Sequence, residues 1–590
     1  MSHLSEDSKK LSYDFHNINS LSKLKNITIT KSSVSLFILS DRSTTTGNVI
    51  FSTLIEVINK KISAIKESEL YCFLADEVTI SDIYIKLHSQ LKYQLFISIK
   101  LVKPIERNGF LPGEHVSLLI LSAYQSTLKH TKTRIGYTYC PVCEKTTKDY
   151  GGKKHLYHEY GTIISDVWRD ISYDPNEIPN NIIDRLCDLF GLEAYTKLDV
   201  YDLNKIKSSV LFVNESQISF LPKYIESDPM IQTESILIND DCINALNKLP
   251  DSSVDFCFAD PPYNLSKKYD LWEDDLELEE YFSWCNKWIN ALMRVLKPGK
   301  FLALLNIPLW TMRYYSILKE YYQFVDWIVW ESLSMPVRMI MPSHYSILVF
   351  SKGSPIVYPA FIRTEHSTFE AESLHSLKEN FCLRSNCINY RNRNNIIDKV
   401  PITNLWWDIH RLKHNTRRVD HPTQLPPKLM FRLISLLSNE NDLVLDPFNG
   451  SGTTTLSSEI LNRKFIGIEK SQNYFNLSLK RHAELRSGID PFGKRNGTPL
   501  SKNTYVPRQK KQKYIVSKKI LQLEVKTISQ ILGHIPTKEE VEKYSKYPMK
   551  YFDDYFINWA EVCAAARTTG MVEDKIIVTK KSKEDQLNIF

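Results

Sequence analysis

The tetrapeptide Asp260-Pro261-Pro262-Tyr263 combines residue types that suit chemistry on an amino group attached to a flat ring. It follows the apolar run 253–259, which predicts a buried strand that ends at the aspartate. The two prolines stiffen the backbone and remove two N–H donors. The strand end therefore offers a carboxylate and backbone carbonyls, which can hold the two amine hydrogens, and the ring of Tyr263, which can stack on the base.

A second stretch, residues 443–469, has the pattern of a nucleoside-cofactor site. Residues 443–446 predict a strand that ends in Asp446, and the turn that follows, with Gly450 and Gly452, leads into a helix beginning near Thr455. The next predicted strand ends in Glu469, an acid placed to hold ribose hydroxyls. A dinucleotide site would have a third glycine and no acid before the loop, whereas this aspartate suits a cationic cofactor.

The two motifs, in this order, resemble the β-class DNA amino-methyltransferases of the N-4/N-6 DNA methylase family. In that family the catalytic motif precedes the cofactor loop, a circular permutation of the usual order, and the resemblance covers about residues 236–485. It implies a Rossmann-like α/β methyltransferase sheet, S-adenosyl-L-methionine as methyl donor and double-stranded DNA as partner. It assigns the target base to Asp260, Pro261, Pro262 and Tyr263, and the cofactor to Asp446, Phe448, Gly450, Gly452, Glu469, Thr423, Gln424 and Asp241.

The resemblance also indicates which base is modified. An aspartate in the first position of the tetrapeptide is typical of the adenine-N6 members, while the cytosine-N4 members usually carry serine. We therefore expect site-specific methylation of adenine N6 in DNA, in restriction–modification, phage defence or epigenetic marking. The alternatives are a cytosine-N4 enzyme, an RNA methyltransferase, against which the permuted order argues, and a non-catalytic DNA-binding protein, which fits poorly with two intact motifs.

The stretch before the catalytic motif repeats its organisation. Residues 33–122 alternate strand and helix, as residues 254–350 do, which predicts a second α/β sheet. Short segments of the two stretches are also similar in sequence: residues 111–119 resemble 341–348, and residues 167–171 resemble 405–409. The first copy has Ser40-Asp41-Arg42-Ser43 in place of the catalytic tetrapeptide and shows no glycine-rich loop. We therefore expect a degenerate copy that binds no cofactor.

These observations divide the chain into segments. They are a polar arm at 1–30, the degenerate copy at 31–190, a connector at 191–235, the catalytic domain at 236–485 with a basic insertion at 352–420, a basic linker at 486–519, a helical domain at 520–572 and a disordered tail at 573–590. Thr537 followed by Glu540 predicts a capping box in the helical domain. That domain resembles the helical DNA-binding repeat that accompanies homing endonucleases; a generic packing domain is the alternative.

The insertion combines basic and aromatic residues, a combination that suits phosphate contact and base stacking. The candidate DNA-binding residues are Arg384, Arg391, Arg393, Arg411, Lys413, Arg417 and Arg418, with Tyr390, Trp406 and Trp407 between them. A solvated basic face is the alternative interpretation.

Cysteine and histidine spacing predicts a structural zinc site in the first copy. Cys140-x2-Cys143 and His155-x2-His158 offer four ligands, although the histidine spacing is tighter than usual. Cys382 and Cys387 occupy a comparable place in the second copy and are alternative ligands. Free thiols and surface histidines are the other interpretation.

Composition places few limits on the function. The chain has 590 residues, 43% of them hydrophobic, and a formal net charge of +7, which permits a nucleic-acid partner. Ten scattered cysteines and the absence of a signal pattern favour reduced thiols and a cytoplasmic protein. The last five residues, Gln586–Phe590, resemble the short Gln-Leu-x-Leu-Phe peptide with which bacterial proteins bind the replication sliding clamp.

Overall fold

The computed structural model describes most of the chain in separate ranges. They are 11–27, 33–39, 45–62, 69–123, 128–140, 142–146, 161–191, 195–206, 234–265, 275–332, 340, 342–363, 365–379, 382, 384–411, 424–492, 516, 518–556 and 559–569. The tail peptide 586–590 lies outside them. Within these ranges, no helix has the length and apolar character needed to cross a membrane.

The first copy is a seven-stranded α/β sheet. Its elements are β1 (Tyr13–Asn17), α1 (Leu21–Lys25), β2 (Ser33–Ile38), α2 (Thr45–Ile62), β3 (Leu70–Ala75), α3 (Glu77–Leu87), β4 (Leu91–Ile105), β5 (Gly113–Ala123), β6 (Arg134–Ile135), β7 (Tyr139–Cys140), β8 (Lys145–Thr146), β9 (Thr162–Ile163), β10 (Val167–Tyr173), α4 (Asn180–Phe190) and β11 (Lys197–Asp202). The strand order in the sheet is β1-β11-β2-β3-β5-β4-β10.

This sheet begins earlier and ends later than the sequence predicts. Strand β1 lies in the segment expected to be a polar arm, and β11 lies in the segment expected to be a connector; the two pair in parallel. The sequence of residues 1–30 does not predict a helix or strand, because its apolar residues are widely spaced. Four of them, Leu11, Ile18, Leu24 and Ile27, are nevertheless buried. The first domain therefore includes both strands and reaches residue 206.

The second copy carries both motifs on an eight-stranded sheet. Its elements are β12 (Ile236–Ile238), α5 (Cys242–Lys248), β13 (Val254–Ala259), α6 (Leu278–Val295), β14 (Leu296–Asn306), α7 (Pro308–Leu318), β15 (Gln323–Glu331), β16 (His344–Ser351), α8 (Pro359–Ile362), α9 (Thr368–Ser373), β17 (His375–Leu377), α10 (Ser385–Arg393), β18 (Lys399–Pro401), β19 (Leu405–Trp406), α11 (Pro427–Leu437), β20 (Leu443–Asp446), α12 (Thr453–Ile460), β21 (Lys464–Ile468) and α13 (Gln472–Arg486). The order is β12-β21-β20-β13-β14-β16-β15-β19.

Strand β19 corrects one predicted boundary. The insertion predicted at 352–420 contains this strand, which pairs in parallel with β15 inside the second sheet. The insertion therefore ends before β19, and residues 405–406 belong to the second sheet. A two-residue strand is too short to show a period in the sequence, so its pairing was not predictable from the pattern.

The two sheets have the same topology over six strands, as a duplication would require. The order β11-β2-β3-β5-β4-β10 matches β20-β13-β14-β16-β15-β19. Each pair also has the same sense: for example, β2 and β3 are parallel, as β13 and β14 are, and β5 lies antiparallel between β3 and β4, as β16 does between β14 and β15. The copies differ at the seventh position, where β1 stands in place of β21.

The copies pack against each other through reciprocal contacts. The backbone N–H of Glu114 in the first copy donates to Oδ1 of Asn404 in the second at 2.8 Å. The backbone N–H of Ser343 in the second copy donates to Oδ1 of Asp166 in the first, also at 2.8 Å. Each donor precedes the same buried histidine position, and each acceptor lies two residues before the same buried tryptophan position. The two halves therefore form a pseudo-symmetric pair within one chain.

Stacked rings mark the centre of this contact. Phe96 on β4 and Trp327 on β15, which occupy equivalent positions, stack with centroids 5.8 Å apart and planes 8° apart. One hydrophobic core includes Phe96, Trp327 and residues of both sheets. Because this core is continuous, we regard the two copies as one folding body rather than as two linked domains.

The C-terminal unit is helical, as predicted. It consists of α14 (Lys518–Leu532), α15 (Lys538–Tyr544), α16 (Met549–Tyr555) and α17 (Trp559–Val562), followed by β22 (Thr568–Thr569). The capping box is present: the Thr537 side chain accepts from the backbone of Glu540, whose side chain accepts from the backbone of Thr537. The unit has its own core, and β22 pairs in parallel with β6 of the first copy.

Candidate active site

The two motifs meet in one cleft at the carboxyl ends of the parallel strands of the second sheet. Strands β13 and β20 are neighbours, so Asp446, the last residue of β20, and Asp260, which follows β13, lie at the same edge of the sheet and line one cleft. The cleft encloses about 980 Å³, part of it open to solvent. Asp241, Gln424 and Glu469 also line it. Ligand sites in open α/β sheets lie at this edge, where strand order reverses.

The catalytic tetrapeptide is held from its backbone and its tyrosine. The Tyr263 hydroxyl donates to Oδ1 of Asp260 at 2.8 Å, which orients the carboxylate. The indole N–H of Trp310, on α7, donates to the carbonyl of Tyr263 at 2.7 Å. Tyr263 is buried, with 3% of its surface exposed, and its ring lies behind the carboxylate rather than along the cleft.

The proline carbonyls have different environments. The Tyr281 hydroxyl donates to the carbonyl of Pro262 at 2.6 Å. Among the described residues, none donates to the carbonyl of Pro261. The carbonyl of Pro261 is therefore an acceptor with no described donor, next in the chain to the Asp260 carboxylate that lines the cleft.

The cofactor loop is held by the two acids that flank it. Oδ1 of Asp446 accepts from the backbone N–H of Phe448 at 2.9 Å. Oε2 of Glu469 accepts from the backbone N–H of Gly450, and its Oε1 accepts from that of Ser471, both at 2.8 Å. The loop is thereby tied to the ends of β20 and β21, which leaves it little freedom to rearrange.

Gly452 needs to be glycine for two reasons. Its φ is +83°, a left-handed conformation that costs residues with a Cβ about 1–2 kcal/mol. A Cβ at this position would also lie 2.3 Å from Oγ of Ser478 on α13. The glycine therefore allows α12 to begin at Thr453 while α13 packs closely behind the loop.

Asp446 has an unusual charge state for a carboxylic acid. Burial raises its pKa to about 7, and the nearby Asp260 and Glu469 act in the same direction, while hydrogen bonds from Thr454 and Phe448 oppose them. A positively charged ligand beside it would stabilise the carboxylate and release the proton. The site is thus prepared for a cation.

Aromatic residues that the sequence analysis missed form one wall of the cleft. Trp284, on α6, lines it and contacts Phe448 with ring centroids 5.8 Å apart. Trp288, one turn further, contacts the same ring at 5.3 Å. Tyr474 on α13 also lines the cleft. Helical spacing made the tryptophans indistinguishable from core residues in the sequence, because nothing in it places α6 beside the loop.

A second missed group lies next to the tetrapeptide. The ring of Tyr345, on β16, lies 6.1 Å from that of Tyr263 and stacks on Trp330 at 5.4 Å. The guanidinium of Arg411 lies 5.7 Å from the Tyr345 ring. Arg411, assigned from the sequence to DNA contact, therefore lies close to the catalytic strand end.

The first copy lacks both acids at the corresponding positions. Following the register through β3 and β5 and through β14 and β16, Ile38 corresponds to Asp260 and Val200 to Asp446. Ile38 and Val200 are both buried. The sequence pattern aligns Ser40 with Asp260, whereas the strand register aligns Ile38 with it, two residues earlier. Residues 40–44 lie outside the described ranges. Two apolar side chains therefore stand at the positions of the two carboxylates.

The predicted DNA-binding residues separate into different environments. Arg393 is exposed on α10, next to the exposed Tyr390. Arg391 is fully buried and pairs with Asp398, so its prediction as a DNA contact is wrong for this conformation: its charge is used inside the protein. Trp406 is also fully buried and does not offer a face for base stacking. Lys413, Arg417, Arg418 and the cofactor candidate Thr423 lie outside the described ranges.

The candidate metal ligands are only partly described. His155 and His158 lie outside the described ranges. Cys140 and Cys143 are described, and their sulfur atoms lie close to those of the alternative ligands Cys382 and Cys387.

Comparison with known proteins gives one family. The family model for DNA methylases of the N6/N4 type matches residues 254–480. The type II methyltransferase M.BamHI of Bacillus amyloliquefaciens is 35% identical over 238 residues, which are 40% of this chain and 54% of that protein. M.HpaI of Haemophilus parainfluenzae is 32% identical over 263 residues, 44% of this chain and 77% of that protein. The chain thus spans about half the length of the first relative.

Solved structures are similar to part of the chain. The cytosine-N4-specific PvuII DNA methyltransferase has a TM-score of 0.31 and 19% identity, covering 42% of this chain and 86% of that one. The complex of M1.HpyAVI with SAM has a TM-score of 0.29 and 21% identity, covering 42% and 98%.

Proposed function

The chain belongs to the N-4/N-6 DNA methylase family, and we propose that it methylates adenine N6 at specific sites in DNA, using S-adenosyl-L-methionine. The observation that carries this proposal is the meeting of Asp260 and Asp446 in one cleft, at the ends of adjacent strands. Asp260 is one of the proposed hydrogen-bond acceptors for the amine of the target base. Asp446 precedes a loop suited to a cationic nucleoside cofactor. Restriction–modification, the context of the type II relatives, is the proposed setting.

The residues of the cleft fit this cofactor. Asp446 is a buried acid suited to a cationic amino-acid portion, and Glu469, at the end of β21, is placed to accept from ribose hydroxyls. Trp284 and Phe448 provide an apolar wall for an adenine ring, and Gln424 and Asp241 line the remaining sides. When bound, S-adenosyl-L-methionine supplies an electrophilic methyl group on its sulfonium.

The protein's part in the reaction is to prepare the amine. An exocyclic amine is a weak nucleophile because its lone pair is conjugated with the ring. The Asp260 carboxylate and the Pro261 carbonyl accept its two hydrogens, which favours a pyramidal nitrogen with a localised lone pair. Tyr263 keeps the carboxylate in position through the 2.8 Å hydrogen bond. The fit does not require a cysteine nucleophile, because the methyl group passes directly to nitrogen.

The target base must leave the helix to reach this cleft. Extrusion from the stack costs a few kcal/mol. Stacking on an aromatic ring offsets about 1–3 kcal/mol of that cost. The motif assigns this contact to Tyr263, whose ring is buried and does not line the cleft in this conformation, so stacking would require the ring to turn toward the cleft. Tyr345, which lies beside it with Arg411 over its ring, is a second candidate for the contact.

Adenine is favoured over cytosine by the aspartate at the first motif position. The decisive experiment is mass spectrometry of nucleosides from DNA methylated in vitro with isotope-labelled cofactor, followed by long-read sequencing to read the site. We expect label in N6-methyladenine alone. Label in N4-methylcytosine would replace the adenine assignment with the second candidate, and no label with either base in any supplied DNA would overturn the proposal.

The C-terminal peptide Gln586–Phe590 is proposed as a contact to the replication sliding clamp, on the basis of its sequence alone. Such tethering would raise the local concentration of the enzyme at newly made DNA. Deleting residues 586–590 should abolish clamp binding, measured by calorimetry at tens of micromolar, the range expected for a short peptide. Activity on short duplexes should be unchanged, which separates this test from that of the methyltransferase.

A further inference from the structure

Four cysteines from equivalent insertions of the two copies meet at one point. Cys140 and Cys143 lie between β5 and β10 of the first copy, and Cys382 and Cys387 lie between β16 and β19 of the second. Their four sulfur atoms all lie within 4.8 Å of one another. Cys140 and Cys387 are 247 residues apart in the chain, so only the packing of the two copies brings them together.

The distances match a tetrahedral metal site. The sulfur atoms of Cys140 and Cys387 are 3.8 Å apart, and those of Cys143 and Cys382 are 4.0 Å apart. A zinc–sulfur bond of about 2.3 Å in tetrahedral geometry places sulfur atoms about 3.8 Å from each other. A disulfide would require about 2.05 Å. The separations are therefore those of ligands around a common centre.

The surroundings supply hydrogen bonds that thiolates need. The backbone N–H of Arg384 points to Sγ of Cys382 at 3.4 Å, and its guanidinium donates to Sγ of Cys143 at 3.1 Å. Backbone hydrogen bonds from Val142 and Cys143 reach Cys140. Such outer contacts disperse the negative charge of sulfur ligands. The pair on the first copy lies on the β7–β8 hairpin, which turns tightly through Glu144 at φ 51°.

The hydrophobic cluster between this hairpin and the second cysteine pair is small among the described residues. The hydrophobic cluster at the contact contains three buried cysteines, with Val142 and Cys143 partly buried beside them. Arg391 is used to fix the second pair, since it donates to the carbonyl of Cys382 and pairs with Asp398. A cluster of four cysteines and one valine buries little of the apolar area that stabilises an interface.

We propose that Cys140, Cys143, Cys382 and Cys387 bind one zinc ion, which joins the insertions of the two copies. Four sulfur ligands in tetrahedral geometry suit zinc and leave no open position, so the ion is structural. It fixes α10, which carries the exposed Arg393 and Tyr390, on the first copy. The degenerate copy thereby supplies half of the site that orients the candidate DNA surface.

The full-length protein tests this directly. Elemental analysis and native mass spectrometry should find about one zinc per chain. Cobalt substituted for zinc should show the intense thiolate-to-metal charge-transfer band and the d–d bands of a tetrahedral sulfur site. The cobalt spectrum reads the ligands in the unaltered chain, so it does not depend on any variant folding.

Matched variants identify the ligands. Cys382→Ser with Cys387→Ser should remove the zinc, as should Cys140→Ser with Cys143→Ser, whereas His155→Ala with His158→Ala and the control Cys563→Ala should retain it. Zinc kept by the Cys382/Cys387 variant but lost by the histidine variant would overturn the proposal in favour of the histidine ligand set. Four freely titrating thiols, or two disulfides detected by mass, in metal-free native protein would overturn it altogether.

Discussion

The two sheets of this chain share their framework and differ in their chemistry. Six strands have the same order and sense, and the contacts between the copies are reciprocal. The differences concentrate at one edge, where Ile38 and Val200 replace Asp260 and Asp446 and where β1 takes the place of β21. The framework is thus maintained by packing, which is independent of the strand-end residues that are proposed to act in the reaction.

A buried cluster in the first copy illustrates the shared framework. Arg185, on α4, pairs with Asp170, and its guanidinium lies 5.1 Å from the ring of Trp168. The indole N–H of that tryptophan donates to the carbonyl of Ser165 at 3.0 Å.

The second copy builds the same cluster from equivalent elements. Arg432, on α11, donates to Asp408 at 2.8 Å and lies 5.2 Å from the ring of Trp406, whose indole N–H donates to the carbonyl of Thr403. Burial opposes the ionisation of Asp408, but Arg432 and Lys428 outweigh it and lower its pKa to about 2. Both copies therefore retain a costly ion pair that has no part in the cleft.

The largest difference between the copies is expected for the strand-end acid. Asp260→Ala should lower the rate of methyl transfer by about 10²–10³-fold or more, because one of two acceptors for the amine is removed. Cofactor binding should stay measurable, since the cofactor loop is on another strand. The matched control, Ile38→Val at the corresponding position of the first copy, should leave the rate within about twofold. Equal rates for Asp260→Ala and wild type in a labelled-methyl assay would refute the mechanism.

The shared clusters should respond alike. Arg185→Met and Arg432→Met each leave a buried carboxylate without its partner and should destabilise the protein by about 3–5 kcal/mol, measured as shifts in urea unfolding transitions. A stabilising contribution from Asp408 is present above the ordinary pKa of an aspartate and is lost as pH falls toward about 2, because its folded pKa is lowered. A large effect in only one copy would show that the clusters are not equivalent.

Cofactor binding should distinguish the copies by stoichiometry and by pH. Calorimetry should find one S-adenosyl-L-methionine site per chain. Because the pKa of Asp446 is raised to about 7 and a cation favours its charged form, affinity should increase as pH rises through 7. Below pH 7, Kd should rise by about tenfold for each unit by which the pH falls. The Asp446→Asn variant should bind S-adenosyl-L-methionine more weakly, and its affinity should not depend on pH in this range. A second cofactor site per chain would refute the prediction that the first copy binds no cofactor.

The smallest expected effect is that of two glycines with left-handed backbone, Gly488 after α13 and Gly452 in the cofactor loop. Gly488→Ala should cost about 1–2 kcal/mol of stability from backbone strain alone, since its φ is +79° and no atom lies within 4 Å of an added Cβ. Gly452→Ala has similar strain and in addition a contact of 2.3 Å with Ser478, so it should cost more and also weaken cofactor binding. Equal unfolding midpoints for the two variants would show that α13 moves away at no cost.

Much of the second copy was predictable because its signals are local. The strand predicted at 254–259 and the helix predicted from residue 278 match β13 and α6. Both were predictable because an uninterrupted apolar run and helical spacing are visible in the local sequence. The motif residues were recognisable because their chemistry constrains residue type and spacing. The aromatic wall at Trp284 was not, because its role depends on which helix packs beside the loop.

The sequence by itself determined the motifs, the α/β alternation and the existence of two related halves, because each of these is written in neighbouring residues. Tertiary structure alone decided three other features. It added β1 and β11 to the first sheet through pairing between residues such as Tyr13 and Leu198. It buried Arg391 against Asp398, and it brought Cys140 to Cys387. Each depends on contacts between distant parts of the chain, and the energy of such contacts is set by packing geometry that no local pattern records.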